Sequence, residues 1–473
     1  MNLNIFIKLA KQIEFKPKKH QIESKSKSQK TDAILFYHGM GTGKTLSSIY
    51  SSKGKTNVVV PAALRKNYEN TLKNFDIGNS KKFNVISYNK ATRYGIKPKN
   101  TLIVDEIQRI GNPTSARSSA ILEAAKTHKK RIALTGTPAS NHPYELATVM
   151  RFLSPKSKEI PLNPTEFNKK FLSEKKIKIP FWKRLIGIEP GTEYDIKNED
   201  LIKKVIKGKV HYHKGGTKNF PKRIDEVEKI EMDNEQTKYY KFVTGKANPM
   251  LALKIRMNMP LSKKESSQLN AFMTAARQVS NTAGPYGGKT ISPKIQKAVE
   301  DIKEMKGKDK NFRSVLYSNY HSGGLEPVEK LLSKSNIKFD KFTGKMNDEQ
   351  KDRVIKKYNN GEIDTLLLSG AGAEGISLNG TKLMQILEPH WNKNKIEQVI
   401  ARGIRFKSHD HLPEKERVVR VKKYQSILPK TIVQDLLGKQ CDTSSDEYLD
   451  ELSEKKDKLL IKFLNIFKEE GSK

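Results

Sequence analysis

The chain has 473 residues, enough for two or three domains, each with its own core. Its 90 Lys and Arg against 52 Asp and Glu give a formal net charge of +38, spread along the whole chain, which points to a polyanionic partner, nucleic acid first. A single cysteine, Cys441, excludes a disulfide frame and a thiolate zinc site, and no apolar run approaches the length of a membrane span.

Residues 4–14 carry apolar side chains at helical spacing, without the uninterrupted apolar core of a signal peptide. A soluble protein of a reducing, intracellular compartment is therefore expected. FKPKKHQIE follows, then SKSKSQK, read as a solvated loop. Gln21 has an amide able to pair with the edge of adenine.

Residues 34–45, ILFYHGMGTGKT, organise what comes after. An apolar run reads as a buried strand, and the glycine-rich turn behind it as the entry to a helix. His38 stands where a strict P-loop has its first glycine, so the GxGKT half carries the match. Met40, Gly41, Thr42 and Gly43 would wrap the phosphates of ATP with backbone N–H groups. Lys44 adds a positive charge for the β- and γ-phosphates, and the Thr45 hydroxyl is placed to hold Mg²⁺.

Short β-branched runs then alternate with helical stretches: strands at 57–61, 83–88, 101–106 and 131–136, with a helix near 115–127. This alternation predicts an α/β fold with a parallel sheet covered on both faces. Ligands of such sheets bind beyond the carboxyl ends of the strands. The phosphate loop, the acids of VDE and Thr135, Gly136 and Thr137 all fall at such ends. Asp105 is assigned to the metal and Glu106 to orienting and deprotonating the attacking water. Gln108 has the offset to link this pair to the TGT segment.

With these residues in place, VDEIQRIGNPTSARSSAI and RIALTGTPASNHPYELATVMRFLSP resemble the ATPase core of the Swi/Snf-type DNA translocases of helicase superfamily 2. The resemblance implies two RecA-like lobes with ATP between them. VVVPAALRKNYENTL and FNVISYNKA are similar to segments lining the family's nucleic-acid track, which places Pro61, Asn67 and Ser87 there. The implied layout is a first lobe at 1–155, a helical protrusion and inter-lobe crossing at 156–290, a second lobe at 291–440 and a C-terminal helix at 441–473.

Within the protrusion, Phe181 and Trp182 lie among basic residues and either pack its own small core or touch DNA or dock a partner. His211 and His213 alternate with Val210 and Tyr212, so they face one side of a strand; without nearby carboxylates or thiols they are no metal site. The second alternating series has strands at 314–319, 339–344 and 365–370, with 382–389 and 417–424 closing the sheet. It contains no P-loop, so it is read as the partner lobe. Gln398, Arg402 and Arg405, spaced by four and then three, would share one helical face. Paired guanidiniums suit the charge developing on a γ-phosphate. SGAGAEGISLNG (369–380) is similar to the motif that couples track to ATP, which puts Ser369 on the track and Gly375 in the coupling.

ARGIRFKSHDHLP and the terminal TSSDEYLDELSEKKDKLLIKFLNIFK look like the poxvirus-type nucleoside triphosphatase I and early transcription factor small subunit group of large DNA viruses, although this chain has DEIQ where those proteins have DExH, and is shorter. Ser444 and Glu447 have capping-box spacing, and the apolar face of the helix after them is expected to pack on the second lobe, with docking to a partner as the alternative.

The expected function is a DNA-dependent ATPase translocating on double-stranded DNA, using ATP and Mg²⁺ and holding DNA mainly by its phosphates. RNA polymerase or another transcription or replication protein is the candidate partner; no membrane and no structural metal are expected. A viral protein of this kind would reside in the virion or the host cytoplasm. Two other functions stay open: a strand-separating DNA or RNA helicase, and a catalytically silent DNA-binding scaffold.

Overall fold

Near-continuous apolar runs become central parallel strands because both faces of such strands are covered by helices. Six of them form the first sheet: β1 (Ala33–His38), β2 (Thr56–Val60), β3 (Phe83–Ser87), β4 (Thr101–Asp105), β5 (Lys130–Thr135) and, from much later in the chain, β8 (Val210–His213). Their order is β3-β2-β4-β5-β1-β8, every pairing parallel. The structure, a computed structural model, describes residues 17–39, 41–74, 82–176, 192–216, 219–245, 249–256, 263–370, 376–430 and 442–473. The expectations for residues 4–14, Met40, Phe181, Trp182 and Gly375 lie outside the described residues.

A short ribbon pairs β6 (Leu172–Lys176) with β7 (Thr192–Ile196). The second six-stranded sheet contains β9 (Lys222–Glu231), β10 (Ser314–Ser318), β11 (Phe339–Phe342), β12 (Thr365–Ser369), β13 (Leu383–Ile386) and β14 (Val418–Ile427). Its order is β11-β12-β10-β13-β14-β9, again parallel throughout. Each sheet buries its own apolar cluster, around Phe36, Val58 and Ile103 in the first and around Tyr317, Leu366 and Met384 in the second. These are the two α/β lobes that the alternation of strands and helices predicts.

Three expectations are corrected. Residues 417–424 do not close the second sheet: β9 pairs along all ten residues of β14 and forms the edge. The segment 156–290 is accordingly not a helical insertion throughout, since it supplies β8 to one sheet and β9 to the other. Finally, SKSKSQK is helical, within Lys19–Gln29, because Ser24 and Ser28 are buried and the Lys18 N–H donates to Gln21 Oε1 at the start of the helix. Tertiary packing overrides the loop-like composition there.

The chain divides into two compact units, one of residues 1–173, 195–216 and 458–473, the other of 174–194 and 217–457. The helix Ser445–Ser472 opens with a full capping box: the Glu447 N–H donates to Ser444 Oγ at 3.2 Å and the Ser444 N–H to Glu447 Oε2 at 3.1 Å. Its residues to 457 belong to the second unit, as expected, but those from 458 belong to the first. There Phe463 and Phe467 are fully buried, and Phe463 packs against Phe167 with ring centroids 6.4 Å apart. No helix among the described residues is long and apolar enough to cross a membrane.

Candidate ATP site and nucleic-acid surface

β1 ends at His38, and the loop behind it bends through two left-handed glycines, Gly41 at φ 70° and Gly43 at φ 78°. Gly43 is required twice over, since a Cβ there would also lie 2.7 Å from Gln21 Nε2. The helix Lys44–Ser51 starts immediately after it. The Lys44 ammonium donates to the carbonyls of His38 at 3.1 Å and Gly39 at 3.3 Å, which holds it over the loop. The Thr42 hydroxyl ties the loop to itself by donating to Gly39 O at 2.8 Å.

Gln21 is buried beside this loop, with Nε2 3.5 Å from both Thr42 O and Gly43 O. Its Oε1 accepts the Lys18 N–H at 2.9 Å. The side chain thus braces the glycine-rich loop.

β4 carries Asp105 at its last position, and Glu106 follows in the left-handed region at φ 55° and ψ 54°. A non-glycine residue there is strained and must be held. Tyr88 holds it: its hydroxyl lies 2.7 Å from Asp105 O and 3.1 Å from Glu106 O, donating to this pair of carbonyls. Burial pushes the Asp105 carboxyl up to about 7; Glu106 adds to the rise, while the Lys44 ammonium opposes it.

From Glu106 a chain of hydrogen bonds crosses to β5. Gln108 Nε2 donates to Glu106 Oε2 at 2.6 Å, the Thr135 hydroxyl donates to Gln108 Oε1 at 2.6 Å, and the Thr137 N–H donates to Thr135 Oγ1 at 2.9 Å. Gly136 lies alongside: a Cβ there would be 3.7 Å from Lys44 Nζ and from His38 O. The structure therefore brings together Gln21, Gly41, Thr42, Gly43, Lys44, Asp105, Glu106, Gln108, Thr135, Gly136 and Thr137 at the carboxyl edge of one sheet. Thr45, in the first helical turn beyond the loop, belongs to the same group.

Other predicted positions fare differently. Asn67 is exposed on the helix Arg65–Asn74, and Ser87 caps the helix Tyr88–Tyr94 by accepting the Lys90 N–H. Pro61 and Ser369 are buried, so their side chains offer little surface to a strand. In the second unit, Gln398 and Arg402 lie on the helix Lys393–Gly403, but Arg405 does not: the helix ends at Gly403, with Ile404 as its cap. Ser408 captures the backbone there, accepting from Arg405 N at 3.2 Å and donating to Arg405 O at 2.9 Å, so a local turn replaces another helical turn. Burial lowers the Arg405 guanidinium to about 10, and the Arg402 charge adds to the fall.

Sequence reasoning missed an open cavity of about 490 Å³ in the first unit, lined by Asn89, Arg93, Arg109, Asn112 and Arg117 among others. Asn89, two residues beyond Ser87, lines it, and Arg117 also stacks over Tyr88, 5.5 Å from its ring centroid. The signal was present as three arginines on separate elements, but only the fold brings them together.

Two family models match the chain, an SNF2-related domain over residues 96–284 and a helicase conserved C-terminal domain over 294–407. A protein of Acanthamoeba polyphaga mimivirus that bears the name of an ATP-dependent RNA helicase is 28% identical, with 95% of this chain and 96% of that one covered. An African swine fever virus protein named a termination factor NPH-I homolog is 24% identical over 83% of this chain and 69% of its own. Among solved structures, the Sulfolobus solfataricus SWI2/SNF2 ATPase core in complex with dsDNA matches at 19% identity, covering 95% of this chain and 96% of that one, with a TM-score of 0.35. The Pyrococcus furiosus Hef helicase domain matches at 15% identity, 89% and 97% coverage and a TM-score of 0.47. The chain thus carries an SNF2-related domain followed by a helicase conserved C-terminal domain, has viral relatives along most of its length, and is a nucleic-acid-dependent ATPase.

Proposed function

We propose that this nucleic-acid-dependent ATPase translocates along double-stranded DNA in viral transcription or DNA remodelling. The observation that carries the reading is the unbroken relay from Glu106 through Gln108 and Thr135 to Thr137, set at the sheet edge that also bears the phosphate loop. It gives the water-activating acid a mechanical connection to a neighbouring segment, as a hydrolysis gated by nucleic acid requires.

In this reading the backbone of residues 39–45, including Met40, wraps the phosphates, and Lys44 takes the β- and γ-phosphates. Gln21 faces the adenine side of the loop it braces. Thr45 and Asp105 would hold Mg²⁺, which neutralises phosphate charge when bound; a buried carboxyl pushed up to about 7 fits a site made for a cation. Glu106 orients the attacking water and takes its proton. Gln398, Arg402 and Arg405 complete the site from the second lobe as the γ-phosphate gathers charge.

DNA phosphates are held by Lys and Arg, with Asn67, Ser87 and the cavity of Arg93, Arg109 and Arg117 on the first lobe. Pro61 and Ser369 shape that path through their backbone, and Gly375 joins it to the ATP site. The SNF2-related domain match and the charge of +38 support duplex DNA as the track. The relative named as an RNA helicase supports a second reading, strand separation of RNA or DNA. The relative named a termination factor supports a transcription role, with RNA polymerase as partner.

The deciding experiment compares ATPase rates with duplex DNA, single-stranded DNA and RNA, beside displacement of a triplex-forming strand and unwinding of a forked duplex. Duplex stimulation with triplex displacement and no unwinding is expected. Unwinding driven best by RNA would overturn translocation on DNA in favour of the helicase.

A further inference from the structure

Four of the ten histidines of the chain gather behind the phosphate loop, although they come from three separate segments. His38 ends β1, His20 lies on the helix Lys19–Gln29, and His211 and His213 face it from β8. His38 Nε2 and His211 Nδ1 are 2.7 Å apart, in a buried bond 173 positions apart in sequence. Burial lowers both rings, His38 to about 2 and His211 to about 4, so the pair is neutral at physiological pH. This pair pins the edge strand β8 to the strand that enters the phosphate loop.

The end of β8 then reaches the loop at two points. His213 O accepts the Gly39 N–H at 2.8 Å, and a Cβ on Gly39 would meet Lys214 O at 2.1 Å, so the loop entry is pressed against the strand end. Farther along, His20 Nε2 donates to Thr42 O at 2.9 Å, and the His20 ring stacks on His213 at 4.0 Å with an interplanar angle of 4°. One face of His20 is thus set by His213 while its edge sets Thr42. Gly215, at φ 84°, follows directly, and from residue 217 the chain is part of the second unit.

We propose that His20 and His213 are positioning residues for the phosphate loop: their stack transmits the position of segment 213–216, where the chain leaves the first lobe, to the Thr42 carbonyl, and thereby sets the affinity for ATP. The proposal rests on the reading of residues 39–45 as the phosphate site. A loop whose N–H groups are held in place binds a polyphosphate without a further ordering cost; one released at Thr42 must be ordered on binding. Neither ring touches the nucleotide in this account, so the effect falls on KM for ATP rather than on kcat.

The test uses the full chain with duplex DNA, ATP titration and four variants: His20→Ala, His213→Ala, the double variant, and His213→Phe, which keeps a flat ring for the stack. Loss of one positioning hydrogen bond of about 1 kcal/mol corresponds to roughly fivefold in affinity. Both alanine variants should raise KM for ATP about fivefold, with kcat within twofold. The double variant should be no worse than His20→Ala, because both act through one contact. His213→Phe should return KM to within twofold of the parent. A merely structural role predicts instead a lower melting temperature and active fraction at unchanged KM, and that result overturns the proposal, as does a KM effect that multiplies in the double variant. Lys44→Ala separates the two levels: if it keeps full ATP binding, the phosphate-site reading itself fails. If it loses binding while His213→Ala retains the parental KM, only the positioning proposal fails.

Discussion

Replacing Gln108 asks whether the relay between the acid and the TGT segment is what hydrolysis depends on. The amide makes two hydrogen bonds of 2.6 Å, donating to the Glu106 carboxylate and accepting from the Thr135 hydroxyl. A hydrogen bond to a charged group contributes about 1.5–3 kcal/mol and a neutral one about 1 kcal/mol. Gln108→Leu removes both and leaves a Glu106 oxygen facing an apolar group. If about 2–4 kcal/mol of that is felt in the transition state, DNA-stimulated kcat should fall roughly 30- to 1,000-fold, with KM for ATP little changed.

Gln108→His is the informative companion. A neutral imidazole can donate from one nitrogen to Glu106 and accept at the other from Thr135, so it can replace the amide in both roles. Imidazolium has two donors and no acceptor, so the bond from Thr135 would be lost on protonation. This variant should keep kcat within about threefold at pH 8 and lose it more steeply than the parent as pH falls through the ordinary histidine range near 6.5. Steady-state ATPase at saturating duplex, measured from pH 5.5 to 8.5, reads both effects. A leucine variant with parental kcat, or a histidine variant whose pH profile overlays the parent's, would refute the relay.

Several further outcomes are expected. Contact with about six phosphates should give a slope near −5 for log K against log salt, and Arg93→Ala and Arg117→Ala should each make it shallower by about 1 unit, as read by fluorescence anisotropy; a flat salt response refutes backbone binding. His38 and His211, held neutral by burial, bind fewer protons folded than unfolded, so the stability they give is present above about pH 6.5 and is lost as pH falls towards their folded values of about 2 and 4. Each should lose about 1.4 kcal/mol per pH unit below 6.5, and His211→Gln should flatten the urea midpoint against pH between 6 and 4.5. In the second unit, Lys294 and Asp446 form a fully buried pair at 2.6 Å. Asp446→Ala strands the ammonium and should cost about 3–5 kcal/mol in denaturant unfolding, whereas a change below 1 kcal/mol contradicts the pair's burial.

The sheet edge that carries the site was readable because its signals are local. A glycine turn before a lysine and a strand ending in two acids each lie within one short stretch, and the parallel-sheet rule places them together. Gln108 and Thr135 were readable for the same reason, each lying a fixed step beyond a strand end. The edges of the sheets were not readable. β8 and β9 are short or amphipathic strands whose partners are 173 or more positions away in the pairs His38–His211 and Arg420–Glu226, and no local pattern encodes such a distance. Arg405 shows a third limit: spacing put it on the helical face of Arg402, but Gly403 and the Ser408 turn end the helix first. The arginine cavity and the stack of His20 on His213 are likewise products of the tertiary fold.

The first compact unit is assembled from residues 1–173, 195–216 and 458–473, with Phe463 and Phe467 among its buried side chains. On a ribosome this lobe cannot finish folding when its own strands emerge, because part of its core is still untranslated. At a synthesis rate of about 5–20 residues per second, the interval between residue 216 and residue 458 is roughly 12–50 s. During that time the first unit keeps uncovered the apolar surface that Phe463 and Phe467 later bury, so residues 458–473 complete its core only after the whole of 217–457 has been made.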